Sequence, residues 1–273
     1  MMADMLRRLP IFKGKQRLAR MLLGHQINSG KDLVVHGRDN CRYLLPNVKE
    51  IIGFEILING IFEPEVIHFL TNSITPGSVF IDLGANIGAI SLPVGKARPD
   101  IQLAAVEAAP WIVNYLRKNV EMNGLRNVEV VSNAITRQSD ERVDFYAPEI
   151  LFGKGSLAPI FTSTPEKVSS LSLDDLAARF EQKPIGMIKA DVEGFEADAF
   201  RGGEKLLSSS NAPDILFEFV DWAEEASGSS PGSAQQVLLD FGYKLNRFVG
   251  GKVGDRIVEP VAGGCLMIFA SKN

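Results

Sequence analysis

The chain alternates between short apolar runs of strand length and longer stretches in which apolar residues recur every three or four positions. Val79–Leu83 is the clearest of the first kind, Val-Phe-Ile-Asp-Leu, rich in β-branched and aliphatic side chains. Residues 101–107, 128–131, 186–190 and 215–220 repeat that pattern. Helix-like segments lie between them. Pro64 suits a first helical turn, and Val66, Ile67 and Leu70 give that helix one apolar face. Pro110 opens another, with Ile112, Tyr115, Leu116 and Val120 at helical spacing and Gly124 placed to end it. Ser172 and Asp175 have the spacing of a capping box for a helix over 173–180. Strands alternating with helices predict an α/β fold built on one doubly wound, mostly parallel sheet.

Both ends of the chain depart from that rhythm. Residues 243–248 and 265–270 are strand-like but joined by a glycine-rich link with no helix, so a C-terminal antiparallel hairpin is expected. Residues 143–170 are less regular and read as an inserted hairpin. Ahead of the core, residues 33–35 and 43–45 predict a small hairpin, and residues 51–61 form an apolar run. The division this suggests is an N-terminal extension, 1–50, and a main domain, 51–273. Residues 226–233, Ala-Ser-Gly-Ser-Ser-Pro-Gly-Ser, read as a flexible connection after the fifth strand, where an open sheet often places substrate-facing loops.

Composition narrows the class. With 45 % hydrophobic and 23 % charged residues in 273, the chain can bury a core without a metal or disulfide staple. Its two cysteines, Cys41 and Cys265, lie far apart and suit a reducing, cytoplasmic setting. No apolar run approaches the ~20 residues of a membrane span, and charges interrupt any signal-peptide pattern. A net charge of −4 offers no general attraction to nucleic acid. The charge is uneven, however. Residues 1–31 carry seven Lys and Arg against Asp4 alone, a local +6 that leaves −10 for the rest. Leu18, Met21 and Leu22 at helical spacing beside Arg17 and Arg20 could rest on an anionic membrane surface. The simpler expectation is a leading helix packed on the domain with its charges in water.

Candidate chemistry clusters at two strand ends. The first strand runs into Asp82-Leu83-Gly84-Ala85-Asn86-Ile87-Gly88. This is Asp-x-Gly-x-x-x-Gly, not the Gly-x-Gly-x-x-Gly that holds a pyrophosphate on a helix N-terminus. Gly84 and Gly88 would let the backbone approach a ligand closely. A carboxylate two residues before the first glycine suits an amine-bearing ligand better than a phosphate, and S-adenosylmethionine is one. Glu107 ends the second strand 19 residues after Gly88, near the ~20-residue offset at which an acid grips ribose hydroxyls. Its carboxylate can accept two hydrogen bonds from a vicinal diol. The second cluster is Lys189-Ala190-Asp191-Val192-Glu193-Gly194-Phe195-Glu196, which places charges where the fourth strand meets a helix. Asp191 should face the same crevice as Asp82. Glu196, and in part Glu193, fit the alternative of acids favoured at a helix N-terminus.

At this point the chain resembles the FkbM family of S-adenosylmethionine-dependent O-methyltransferases. The ordered pieces are Gly60-Ile61-Phe62-Glu63-Pro64, the Asp82 to Gly88 turn, Glu107 with Pro110, Asn119 with Asn123, Asn133-Ala134, Gly155-Ser156-Leu157, Leu173-Asp174, the Lys189 to Glu196 string, and Pro213 with Phe217-Glu218. They span roughly 55–245, and the Lys-x-Asp-Val-Glu-Gly-x-Glu string is the most specific. The resemblance implies a Rossmann-like class I methyltransferase domain and an acceptor hydroxyl on a sugar or small metabolite.

Methyl transfer to an aliphatic hydroxyl needs a base within about 2.6–3.2 Å of its proton. Asp191 is the first candidate, then Glu193 and Glu218, with Lys189 orienting an acid or a substrate oxygen. His68 is conceivable but sits in a helix pattern. For the cofactor, Asn86 could reach the methionine part or serve the tight turn, Asn133 with Ala134 the adenine, and Glu63 could close from the N-terminal side. Asp191, Glu193 and Glu218 could hold Mg²⁺ or Ca²⁺, but no spacing demands a metal. Two other readings stand beside this one: a nicotinamide oxidoreductase on a similar sheet, and a cofactor-binding module without chemistry. No Asn-Pro-Pro-Tyr-type motif points to a nucleobase amino acceptor.

Overall fold

The computed structural model describes residues 2–28, 30, 32–180 and 182–272. Two helices, α1 (Met2–Arg8) and α2 (Lys15–Asn28), open the chain, followed by a hairpin, β1 (Leu33–His36) with β2 (Arg42–Leu45). The small N-terminal hairpin is thus present, paired from Leu33↔Leu45 to His36↔Arg42. Helices α3 (Ile51–Asn59) and α4 (Pro64–Ser73) lead into the core. The core then runs β3 (Val79–Leu83), α5 (Ser91–Ala97), β4 (Gln102–Glu107), α6 (Pro110–Met122) and β5 (Val128–Ser132). An insertion of β6 (Ala134–Ile135), β7 (Arg142–Phe145) and β8 (Glu166–Leu171) precedes α7 (Leu173–Ala178), β9 (Ile185–Ala190), α8 (Glu196–Arg201) and α9 (Glu204–Ser208). The chain finishes with β10 (Asp214–Val220), α10 (Asp221–Ala226), α11 (Ser233–Asp240), β11 (Lys244–Val249), β12 (Lys252–Ile257) and β13 (Cys265–Ser271).

Eight strands form the main sheet in the order β12-β11-β13-β10-β9-β3-β4-β5. The five from β10 to β5 are parallel, and β13, β11 and β12 pair antiparallel at one edge. All five residues of β3 are buried, as expected for a strand covered on both faces. Phe80, Leu103, Met187 and Leu216 face one apolar cluster with the N-terminal helices, while Ile81, Ala104, Ile188 and Ile215 face the other. The chain leaves β3 towards β4 and β5 on one side and later returns to β9 and β10 on the other. The carboxyl ends of β3 and β9 therefore flank the switch point, where open sheets take ligands.

Three expectations are refined. The glycine-rich link before β13 contains a strand, β12, whose residues 252–256 are exposed and so give no apolar signal. The inserted hairpin is β7 with β8, and β6 adds to it as a third strand. Residues 226–233 are not a loose connection. The buried Glu224 carboxylate accepts from the backbone N–H groups of Gly232 (2.5 Å), Ser233 (3.2 Å) and Ala234 (2.9 Å) and ties the loop to the start of α11.

At the N-terminus, α2 packs through Ala19, Leu23 and Ile27, which are buried, while Met21 and Leu22 are exposed. Arg7 donates to the Leu57 carbonyl at 2.9 Å, and Glu50 caps α3 by accepting from Ile52 N at 2.7 Å. The extension is thus fastened to the domain along α3.

Candidate active site

In parallel strands, register partners point to the same face. Asp82 pairs with Lys189 across β3 and β9, and Leu216 of β10 lies opposite Lys189. Two residues further on, Asp191 and Glu218 point the same way. Alternation alone therefore gathers Asp82, Lys189, Asp191 and Glu218 above one face of the sheet at its carboxyl end.

Asp82 is buried. Its Oδ2 accepts from Ser91 Oγ at 2.5 Å, whereas Oδ1 has no hydrogen-bond partner and lies 3.9 Å from Lys189 Nζ. Burial raises its pKa, offset in part by Lys189. Lys189 sits 3.3 Å from Asp191 Oδ2. Burial works against its charge, yet Asp191, Asp82 and Glu63 together hold the ammonium above its ordinary range. Glu63 caps α4 from a left-handed backbone position, φ 44°, and burial raises its carboxyl. The lysine thus offsets acids that would otherwise repel one another in a dry site.

Glu107 ties two turns together. Its Oε2 accepts from Asn86 N at 3.0 Å and its Oε1 from Ala109 N at 2.9 Å. Burial pushes its pKa up to about 7 against those bonds. A carboxylate offers about four lone-pair sites, so two remain for a ligand diol.

The two glycines also serve packing within the protein. A Cβ on Gly84 (φ 79°) would lie 1.9 Å from the Asp191 carbonyl oxygen, so this residue lets the two strand-end turns touch. Gly88 (φ 89°) makes room for Leu92 and Leu116 and does not line the cavity. Close approach of protein to protein accounts for Gly88, and for Gly84 it adds to its place on the cleft wall. Asn86 (φ 53°) serves the turn too. Its Oδ1 accepts from Ile87 N at 2.8 Å, and its Nδ2 donates to the Phe152 carbonyl at 2.6 Å, holding the strap of residues 147–164.

A cleft that is partly open to solvent lies between these groups. Asp82, Gly84, Asn86, Glu107, Asn133, Ala134, Lys189, Asp191 and Glu193 line it; Glu63, Gly88 and Glu218 do not. One end is acidic and contains the unpartnered Asp82 oxygen. The other is apolar, walled by Ile112, Ala134, Ile135 and Phe145. Asn133 stands at that end, its amide only loosely held by the Ser169 and Ser170 carbonyls at 3.3 and 3.4 Å. An amine, a diol and a flat apolar base in sequence match this order of surfaces. Among the described residues, no group of three or more His, Cys, Asp or Glu side chains is arranged to hold a metal ion.

A second group of acids stands beside the cavity. Glu193 (φ 51°) bonds Lys154 Nζ through Oε1 at 2.8 Å, and its buried Oε2 has no partner. Burial, then Asp191, raises its pKa. Burial, then Asp191 and Glu193, pushes Glu218 up to about 7. Lys154 also lies 5.7 Å from the ring centroid of Phe161, which meets the half-exposed Trp222 edge-on at 5.8 Å. His68 lies in α4, exposed, beside Asn72. Glu196 is structural: it accepts from Val192 N (2.8 Å) and Gly194 N (3.1 Å), as the helix-start reading expects. Sequence reasoning missed Lys154, Ser91, Phe145 and the Phe161–Trp222 pair. Gly155-Ser156-Leu157, next to Lys154, was the available signal.

Comparison with known proteins adds independent findings. The sequence model of the methyltransferase FkbM domain matches residues 82–245. The ribosomal RNA small subunit methyltransferase G of Neisseria meningitidis is 31 % identical over 88 residues, 30 % of this chain and 42 % of that protein. Its counterpart in Kineococcus radiotolerans is 35 % identical over 79 residues, 29 % of this chain and 30 % of that protein. The chain thus spans less than half the length of these curated relatives. A TehB-like SAM-dependent methyltransferase from Corynebacterium glutamicum superposes with a TM-score of 0.46 at 12 % identity, covering 81 % of this chain and 94 % of that one.

Proposed function

The chain belongs to the FkbM methyltransferase family, and from that premise we propose that it is an S-adenosylmethionine-dependent methyltransferase acting on a hydroxyl of a sugar or small metabolite. The observation that carries this reading is that Asp82, whose buried Oδ1 has no partner, lines the same cleft as Asp191, with the near-neutral carboxyl of Glu218 close to Asp191 and Glu193.

When bound, S-adenosylmethionine supplies a methyl group on a sulfonium, and the protein's part is alignment and proton removal. Asp82 receives the α-amino group and Glu107 the ribose hydroxyls. Ala134, Ile135, Ile112 and Phe145 would enclose the adenine, and Asn133 would meet its polar edge. Proton removal falls to Glu218. Asp191, the first candidate on sequence grounds, is engaged by Lys189, and Glu193 is engaged by Lys154. Glu218 accepts only a long contact from Cys265 Sγ at 3.5 Å, and burial holds its pKa near neutrality, where a general base is most effective. As the acceptor oxygen gains the methyl group, its proton passes to the Glu218 carboxylate. Phe161 and Trp222 offer the acceptor an aromatic edge with Lys154 beside it. The proposal expects neither NAD binding nor methyl transfer to RNA: the turn lacks the pyrophosphate fingerprint, and residues 32–273 carry the negative part of the charge.

Titration calorimetry with S-adenosylmethionine, S-adenosylhomocysteine and NAD, followed by methyl transfer to a hydroxyl-acceptor panel and to a ribosomal RNA fragment, tests the proposal. Micromolar binding of the first two ligands and turnover on a hydroxyl compound are expected. Preference for NAD, or turnover on RNA alone, would refute it.

A further inference from the structure

Exposed apolar side chains are concentrated in the N-terminal segment. Of the fifteen large hydrophobic residues most exposed among those described, eight lie in residues 2–34: Met2, Met5, Leu9, Ile11, Phe12, Met21, Leu22 and Val34. The turn between α1 and α2 presents Ile11 (56 % exposed) and Phe12 (43 %) at its tip, and Met21 (75 %) stands on the outer face of α2. None of these contributes to the buried face of α2, formed by Ala19, Leu23 and Ile27.

The charges around that tip divide into two kinds. Arg7, Lys15, Arg20 and Arg38 serve the fold. Arg7 bonds Leu57 O and Asp4, Lys15 bonds Leu9 O, Arg20 covers the Phe54 ring at 4.4 Å, and Arg38 bonds the carbonyls of Arg7 and Leu9. Arg8, Lys13 and Arg17 instead project from exposed positions flanking Ile11 and Phe12. This basic, apolar edge belongs to a chain whose remainder is −10.

We infer that the α1–α2 tip docks on an anionic lipid bilayer, with Ile11 and Phe12 entering the interface and Arg8, Lys13 and Arg17 meeting lipid phosphates. Basic groups set around exposed apolar side chains are what an interfacial segment needs, since each lysine or arginine near an anionic surface adds to the attraction. Nucleic acid would use the same charge, but single-stranded RNA is gripped by stacking on aromatic faces. Here the exposed large apolar side chains of α1, α2 and the turn between them are Met2, Met5, Leu9, Ile11, Met21 and Leu22, with Phe12 the one aromatic among them. No helix among the described residues is long and apolar enough to cross a membrane, so the contact is peripheral.

Co-sedimentation of the full chain with phosphatidylcholine vesicles, with and without phosphatidylglycerol, tests this. Binding is expected only to the anionic vesicles and should weaken with added salt. Lys13→Glu with Arg17→Glu should reduce it about tenfold or more. Ile11→Asp with Phe12→Asp should reduce it comparably, while cofactor affinity and the melting curve stay at wild-type values. The idea is overturned if wild type stays in the supernatant with anionic vesicles at low salt, or if the apolar pair can be replaced without effect. Equally decisive against it would be a dimer in sedimentation velocity that the same substitutions abolish, or RNA binding that they abolish while vesicles are ignored.

Discussion

Replacing Asp82 with asparagine separates a ligand contact from a structural one. The side chain keeps its shape and loses its charge. In the free protein this costs little. A buried carboxylate whose burial raises its pKa is relieved of ionisation, and Lys189 keeps Asp191 at 3.3 Å as its nearest partner. The Ser91 hydroxyl at 2.5 Å still has an oxygen to bond. That arrangement leaves the asparagine amide where the unpartnered Oδ1 stood, and an amide donor repels an incoming ammonium. A charge-assisted hydrogen bond is worth roughly 1.5–3 kcal/mol. At 1.4 kcal/mol per decade, affinity should fall about 10- to 150-fold. S-adenosylmethionine and S-adenosylhomocysteine share the amino-acid half, so both should weaken by the same factor. The melting temperature should move by no more than about 2 °C. Calorimetry and differential scanning calorimetry on the same preparation read both quantities. A change in affinity under threefold would refute the assignment of Asp82 to the amine. So would a large drop in melting temperature accompanying the loss, since the residue would then be holding the fold.

Three further outcomes follow from the site. With Glu218 near 7 and required ionised, kcat/KM for the acceptor at saturating cofactor should fall about tenfold per pH unit below 7 and level off above it; Glu218→Gln should abolish most activity and erase that limb, and an unchanged pH profile would remove Glu218 from the mechanism. Glu107 also titrates near 7 in the free protein, and a ligand diol bonds its ionised form, so cofactor affinity measured by calorimetry should drop as pH falls through 7, with proton release on binding at pH 6–7; pH-independent affinity would contradict this. Gly84→Ala forces a Cβ to 1.9 Å from the Asp191 carbonyl, whereas Gly77→Ala, at a similar φ, meets nothing within 4 Å. The left-handed penalty of ~1–2 kcal/mol is common to both, so only the Gly84 variant should also lose cofactor binding, and equal behaviour of the two would show that the turn contact does not matter.

The parts visible in the sequence were those set by local pattern. β3, β4, β9 and β10 are buried on both faces, so their apolar runs stand out, and the two-residue alternation places Asp82, Lys189, Asp191 and Glu218 on one side without further information. β12 was hidden because an exposed edge strand such as Lys-Val-Gly-Asp-Arg-Ile needs no apolar face. Lys154 was hidden for another reason: its importance comes from Glu193, 39 residues away, and from nothing in its own neighbourhood. The reason for Gly84 was equally tertiary. Its motif was legible, but the atom that excludes a side chain there belongs to Asp191. The serine- and glycine-rich stretch 226–233 reads as loose because its composition is loose. One buried carboxylate, Glu224, reverses that through three backbone bonds.

The strap of residues 147–164 hangs from points in the core and in the segment that precedes it. Asn86 holds it at Phe152 and Glu193 at Lys154, but Asn47 holds it at Ile150, 3.1 Å from the carbonyl oxygen. Ile52 and Phe62 supply cavity wall from the same upstream segment. All three of these residues precede the stretch over which the family is recognised. The recognised stretch therefore holds every charged group that lines the cleft but leaves out part of its enclosure. Alignments restricted to that stretch will likewise sort relatives by their shared chemistry while leaving out residues that shape how tightly each one grips its ligand.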